Sequence, residues 1–308
     1  MESELIAHLR RRLPSHPLLR LGIGDDAAVL RLAEVDDCVL TVDLLTDHVD
    51  FELARVDPRR VGRKALAVNL SDLAAMAAEP LAGVVALVLP REGGMELAVA
   101  LYEGLLPLAE QYGVAIAGGD TNSWDGPLAL SVTLLGKVTP VGPLERSGAM
   151  PGDRIVVTGA FGGSILGHHL DFEPRVAEAL RLAEAYELHA GIDVSDGLSI
   201  DLAHLARESG CGATVEIEAV PVAEDACRLV DRLADGSTPL EHALSDGEDF
   251  ELILAVPPGE ADRMLAEQPL DVRLTSIGRF VREPGLWQQD AQGKRVPLVP
   301  RGYQHEFD

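Results

Sequence analysis

Basic side chains are scarce in this sequence: 26 Lys and Arg stand against 50 Asp and Glu in 308 residues, a formal net charge of -24. A chain so acidic has no general electrostatic attraction for nucleic acid or anionic lipid, and neither is expected as a partner. Any phosphorylated ligand would have to be neutralised locally, by a bound cation, an Arg, or backbone N–H groups at a helix start. Cysteine is also sparse. Cys38, Cys211 and Cys227 lie far apart with no CxxC pair, which argues against a disulfide framework or a zinc site and fits a reducing cytoplasm. The longest apolar run, Leu81 to Leu89, is far short of the roughly 20 residues that span a membrane. The opening MESELIAHLRRRLP is too polar for a signal peptide. GxxxxGK[ST], HExxH, GxSxG and a protein-kinase catalytic loop are all missing, and the nine histidines show no metal-ligand spacing.

What remains is ordinary globular material, 47% hydrophobic and 25% charged, long enough for two domains at roughly 150 residues each. Cys38 to Asp43 reads as a strand. Pro58 to Glu79 reads as a helix, with Asp57 as N-cap, Pro58 at N1 and Pro80 as terminator. Leu81 to Leu89 reads as a buried strand, Met95 to Tyr112 as a helix closed by Gly113, and Val114 to Ala117 and Leu128 to Val138 as strands. The Gly- and Pro-rich PVGPLERSGAMPGD, Pro140 to Asp153, reads as a linker. The pattern then restarts with a strand at Arg154 to Thr158, a strand reaching Asp193, a helix from about Gly197 to Glu208 and a strand from Phe250 to Val256. Strands alternating with helices in both halves indicate α/β layers. The expected division is residues 1–139, a linker at 140–153, and residues 154–308.

Acids in apolar or strand-end positions mark the candidate chemistry. GIGDDAAVL, Gly22 to Leu30, sets Asp25 and Asp26 after two glycines; alone it reads more readily as a glycine turn with solvated acids than as a site. In TVDLLTDHVDF, strand alternation puts Thr41 and Asp43 on one face, where they could serve a hard cation or simply meet solvent. In KALAVNLSDLAAMAAEP, Asn69 and Asp72 share one face of a helix dense in Ala and Leu. A buried Asp72 would need a metal or strong donors, because burying a lone carboxylate costs several kcal/mol. AGGDT closes on Asp120, and GIDVSDGLS places Asp193, Ser195 and Asp196 between a strand and a helix, the setting in which α/β sheets bind ligands. Asp26, Asp43, Asp72, Asp120, Asp193 and Asp196 are thus six candidate magnesium ligands. So many hard oxygen donors imply more than one ion and a polyphosphate.

Taken in order, GIGDDAAVL, KALAVNLSDLAAMAAEP, AGGDT, RSGAMPGD, IDVSDGLSIDL and SDGEDFEL resemble the thiamine-monophosphate kinases, of the superfamily that includes aminoimidazole ribonucleotide synthetase. The likeness covers nearly the whole chain. It implies two α/β domains of the aminoimidazole ribonucleotide synthetase-like type, with the N-terminal sheet forming a homodimer interface, and ATP with several Mg²⁺ ions between acidic loops. By this resemblance Asp26, Thr41, Val42 through its carbonyl, Asp43, Asp72, Asp120, Asp193 and Asp196 are metal-site positions. Gly119, Asp120, Arg146 and Ser195 are nucleotide contacts, and Glu248 and Tyr303 contact thiamine monophosphate.

The sequence departs from the family pattern in places. Val42 stands where a second hydroxyl is usual, and Asp50 where a substrate-contacting His is usual, with His48 two residues earlier. Asp246-Gly247 replaces a glycine pair, and the segment from Gly163 to Arg175 looks short. The implied activity is transfer of a phosphoryl group from ATP to the phosphate of thiamine monophosphate, metal-assisted and without a general base. The alternatives are an ATP-dependent cyclase like aminoimidazole ribonucleotide synthetase, or a non-catalytic magnesium-nucleotide binding protein.

Overall fold

A computed structural model describes residues 19–21, 25, 28–30 and 37–304. Thirteen strands and eight α-helices are described. The strands are β1 (Leu19–Leu21), β2 (Ala28–Leu30), β3 (Cys38–Thr46), β4 (Ala78–Pro90), β5 (Ala115–Trp124), β6 (Ala129–Val138), β7 (Arg154–Thr158), β8 (Ala190–Asp193), β9 (Gly212–Glu216), β10 (Leu252–Val256), β11 (Leu274–Val281), β12 (Gly285–Gln289) and β13 (Arg295–Pro297). The helices are α1 (Pro58–Ala75), α2 (Gly94–Gln111), α3 (His168–Asp171), α4 (Val176–Ala185), α5 (Leu198–Glu208), α6 (Glu224–Leu233), α7 (Pro239–Ser245) and α8 (Pro258–Glu267). None is long and apolar enough to cross a membrane.

The strands form two sheets, ordered β1-β2-β3-β6-β4-β5 and β13-β12-β9-β11-β7-β10-β8. Both are mainly antiparallel; only β4 with β5 and β9 with β12 run parallel. Alternation of strands and helices along the chain does not reveal this, because the order of elements carries no strand direction.

Helix α1 joins the two halves. Asp57 caps it by accepting from the Arg59 N–H at 2.9 Å, and Pro58 supplies its first turn. The expected end at Pro80 is corrected: the helix stops at Ala75, and Pro80 lies inside β4. Ala77 adopts a left-handed φ of 49° that turns the chain into the strand. Residues on all sides of α1 are buried, among them Val61, Lys64, Leu66, Asn69 and Leu73. It crosses α2 at backbone distance: a Cβ at Gly104 would stand 1.7 Å from the Arg59 carbonyl oxygen, and one at Gly62 1.9 Å from that of Leu101.

The second sheet is covered on both faces, and period-two alternation shows how. Leu252, Leu254 and Val256 of β10 enter the core shared with α1, whereas Ile253 and Ala255 enter a second core with Leu198, Leu202 and Leu205 of α5. By contrast β4, expected to be a buried strand, buries only alternate residues and exposes Leu81 and Val84. On β3, Val42 and Leu44 point the same way and are 62% and 63% exposed.

His189, just before β8, ties that strand to the start of β7 through Asp153 Oδ2 at 2.8 Å, and meets Glu187 at 3.2 Å. Burial opposes the charged imidazolium, but the bond to Asp153 and the charges of Asp153 and Glu187 outweigh it and raise its pKa. Folding therefore favours the protonated form. Its contribution is complete below the ordinary imidazole value of about 6.5 and is lost as pH rises through the higher folded value. His189→Gln is expected to flatten that decline, read as melting temperature against pH for both proteins.

Candidate active site

A cavity of about 710 Å³ opens at the seam between the two sheets, within the usual range for a small-molecule site. From the first half it is lined by Asp43 and Leu45 of β3, Val49 and Asp50 of the following turn, and Val68 of α1. From the second half come Ser195 and Asp196 after β8, the loop Asp246 to Phe250, and Tyr303. No Lys, Arg or His is among the described lining residues.

Two of the expected acids, Asp43 and Asp196, line the cavity, one from each half. Thr41 and Asp43 lie on the inner face of β3, and the Thr41 hydroxyl donates to Asp72 Oδ2 from α1. Asp72 is half-buried rather than enclosed, while Asn69, one turn earlier, is fully buried and donates to the Ala65 carbonyl at 3.0 Å. The neighbouring Ser71 donates to Asp193 Oδ2 at 2.6 Å, so consecutive residues of α1 hold side chains of the two halves, Asp193 and Thr41. Asp193 ends β8 with 2% exposure.

Asp196 follows in a loop gripped from behind by Asp201 of α5, whose Oδ2 accepts from the N–H groups of Asp196 and Gly197, both at 3.0 Å. Burial, then the charges of Asp196 and Asp193, push the Asp201 pKa well above the carboxylate range. Such mutual pressure between acids is what a bound cation relieves. Ligand atoms of Asp196, Asp201 and His204 come within 4.8 Å of one another. The donors of Thr41, Asp43, Asp72, Asp193 and Asp196 are all hard oxygens, the set that suits magnesium.

Other expected site residues stand apart. Asp26 lies outside the described residues, but Asp25 beside it accepts from the Arg146 N–H at 2.9 Å and pairs with its guanidinium at 3.6 Å. The first motif thus adjoins Arg146. The Val42 side chain faces outward, leaving its carbonyl as the group that could serve a site. Gly119 and Asp120 are not brought to the cavity within one chain. The strand expected at Val114 to Ala117, with AGGDT closing on Asp120, is also corrected, since β5 continues through that motif to Trp124. It is the sheet's edge, three strands from β3, or roughly 14 Å at the usual spacing. The register pairs Asp120 with Ala86 in the row of outward Leu44, opposite to Asp43. Gly119 has a packing reason of its own: a Cβ there would meet the Val85 carbonyl oxygen at 1.8 Å.

Of the two residues at the departed histidine position, Asp50 lines the cavity, and its Oδ2 accepts from the Thr46 N–H at 2.6 Å. His48 turns away, 64% exposed, toward Glu52 at 3.3 Å. Glu248 and Tyr303 both line the cavity; the Tyr303 N–H donates to the Asp196 carbonyl at 2.9 Å. Sequence reasoning missed Lys64, Ser71, Asp201 and Asp246. Asp201 stood in plain view inside IDVSDGLSIDL, whereas Lys64 carried no signal, because helical periodicity does not tell which flank of a helix a second sheet will cover.

The model of the AIR synthase related protein N-terminal domain matches residues 24–138, and that of the C-terminal domain matches residues 150–286. The chain is 43% identical over 316 residues to a thiamine-monophosphate kinase of Rhodopirellula baltica, covering 99% of this chain and 97% of that one. It is 36% identical to that of Salmonella typhimurium, covering 99% and 98%. Among solved structures, AaThiL complexed with AMPPCP and TMP superposes with a TM-score of 0.85 at 27% identity, covering 99% and 97%.

Proposed function

The chain belongs to the AIR synthase related family, and on that premise we propose that it phosphorylates thiamine monophosphate to thiamine diphosphate at the expense of ATP. The observation that carries this reading is likeness along essentially the whole chain to thiamine-monophosphate kinases, joined to a solved relative complexed with AMPPCP and TMP. It is a phosphotransferase whose acceptor is itself a phosphate. The finer mechanism rests on the cavity.

The acceptor is a phosphate monoester with a second pKa of about 6, so near neutrality its attacking oxygen is already deprotonated. That oxygen forms a bond to the γ-phosphorus as the bond to the β,γ-bridging oxygen breaks, and ADP leaves with the electron pair. No side chain need take a proton, so the chain's task is alignment within an acidic cavity. Thr41, Asp43, Asp72, Asp193 and Asp196, with Asp26 and the Val42 carbonyl, would hold magnesium. Bound there, magnesium supplies charge neutralisation for the phosphate oxygens. Arg146 and Ser195 are assigned to the nucleotide, as are Gly119 and Asp120 on the edge strand. Asp50, Glu248 and Tyr303 are assigned to the acceptor. Residues 1–139 and 154–308 are taken as two domains joined by 140–153. A homodimer through the outer face of the first sheet accords with the exposed Val42, Leu44, Leu81 and Val84.

Release of ADP across candidate acceptors tests this reading. Magnesium-dependent turnover with thiamine monophosphate is expected. Turnover only with a formylglycinamidine-type substrate would favour the cyclase, and ATP binding with no acceptor would favour the binding protein. Within the acceptor site, Asp50 faces the cavity and His48 does not, so Asp50→Ala is expected to raise the KM for thiamine monophosphate several-fold and leave that for ATP nearly unchanged. His48→Ala should change neither. Steady-state kinetics showing the reverse pattern would remove Asp50 from the acceptor site.

A further inference from the structure

Lys64 is fully buried, one of the largest enclosed side chains of the protein. An ammonium without water must be held by acceptors. Two are in place: Nζ donates to the Asp50 carbonyl at 2.8 Å and to Glu248 Oε1. Both partners line the cavity, Asp50 from the turn after β3 and Glu248 from the loop before β10. The lysine therefore reaches from α1 to two lining residues, one contributed by each half of the molecule. Of the pair, only Glu248 meets solvent, with 32% of its side chain exposed against none for Lys64.

The backbone around Glu248 is bent to keep it there. Glu248 and Phe250 both have left-handed φ values, 63° and 51°, which residues with side chains seldom adopt. The loop is secured on either side: the Glu248 N–H donates to the Ser195 carbonyl at 2.7 Å, and the Phe250 ring stacks on Phe172 at 4.0 Å. Strained backbone, a buried cation and a carboxylate on a cavity wall converge on one side chain.

We propose that Lys64 is a positioning residue of the acceptor site, fixing the Glu248 carboxylate as an anion on the wall that receives the cationic thiazolium of thiamine monophosphate. This rests on the reading of the cavity given above. Without the ammonium, burial would favour the neutral acid. On balance the Glu248 pKa is raised, burial being the largest cause and Asp50 adding to it, while Lys64 is the chief influence lowering it. A carboxylate lodged only to satisfy the lysine would serve packing alone, so the test must separate the two roles.

The variants are Lys64→Met, Glu248→Gln and the double Lys64→Met/Glu248→Met. Lys64→Met is expected to raise the KM for thiamine monophosphate about tenfold, with the loss falling there rather than on kcat or on the KM for ATP. That KM should improve as pH is raised, because alkali restores the carboxylate that the ammonium no longer holds. Glu248→Gln should raise it similarly, without recovery at high pH. The double variant, neutral and apolar on both sides, should regain melting temperature lost by the single variants yet keep the raised KM, about tenfold rather than a hundredfold. An unchanged acceptor KM in Lys64→Met, or recovery of KM along with melting temperature in the double variant, would overturn the assignment. Should Lys64→Met fail to fold, Lys64→Gln takes its place: an acceptor KM that is raised and improves with pH upholds the assignment, and a wild-type KM in it or in Glu248→Gln overturns it. Wild-type protein in the same assay separates this from the premise: no turnover of thiamine monophosphate by wild type removes the functional reading itself, whereas normal wild-type turnover with indifferent variants removes only the role of Lys64.

Discussion

Asp72→Asn is expected to lower kcat by about 10²- to 10³-fold while the melting temperature stays within roughly 2 °C of wild type. The substitution keeps shape, and an amide oxygen can still accept from the Thr41 hydroxyl that Asp72 holds. What disappears is one negative charge from the set of acids assigned to the metal. For folding, losing that charge relieves repulsion. For phosphoryl transfer it takes the charge from a ligand held by Thr41 of β3 and adjoining Ser71, which holds Asp193. Raised magnesium should recover part of the activity by mass action, and raised pH should not, since no proton acceptor has been lost. Steady-state kinetics across magnesium and pH read both. Recovery by alkali at fixed magnesium would identify Asp72 as a base and remove it from the metal set.

Arg175→Ala is expected to destabilise the second half by about 3–5 kcal/mol, a fall in melting temperature of roughly 10 °C. The guanidinium grips Glu251 with Nε at 2.8 Å and Nη2 at 2.5 Å, and the Glu251 side chain is 4% exposed. Thr158 Oγ1 donates to the same carboxylate at 2.5 Å and accepts from the Leu252 N–H at 2.8 Å, linking the ion pair to β7 and β10. Removing the arginine strands a buried carboxylate; replacing both partners by apolar residues of similar size should restore most of the loss. Calorimetry of Arg175→Ala beside Arg175→Met/Glu251→Met distinguishes stranded charge from lost packing. An equal loss in both would assign the effect to packing.

These expectations also mark what the sequence could disclose. Asp57-Pro58 announced the start of α1, and Thr41 and Asp43 were placed on one strand face by a period of two. The end of α1 was hidden, because Pro80 reads as a helix terminator when a left-handed Ala77 has already ended the helix. Asp193 and Asp196 could be read as a strand-end pair. The meeting of Asp193 with Ser71 could not, since it depends on two sheets closing over one helix. Asp120 illustrates the opposite limit: its motif is as plain as the others, yet strand order and register set it on the edge, on the far face from Asp43. Lys64 was silent because a lysine in a helix ordinarily means solvent.

On the proposed function, this cavity moves a phosphoryl group from ATP onto the phosphate of thiamine monophosphate. Incubation with magnesium, thiamine monophosphate and ATP labelled in the γ-phosphate, followed by separation of the products, tests it most directly. Unlabelled ADP is expected, with thiamine diphosphate carrying all the label in its terminal phosphate. Label released as inorganic phosphate, with thiamine monophosphate unchanged, would contradict it.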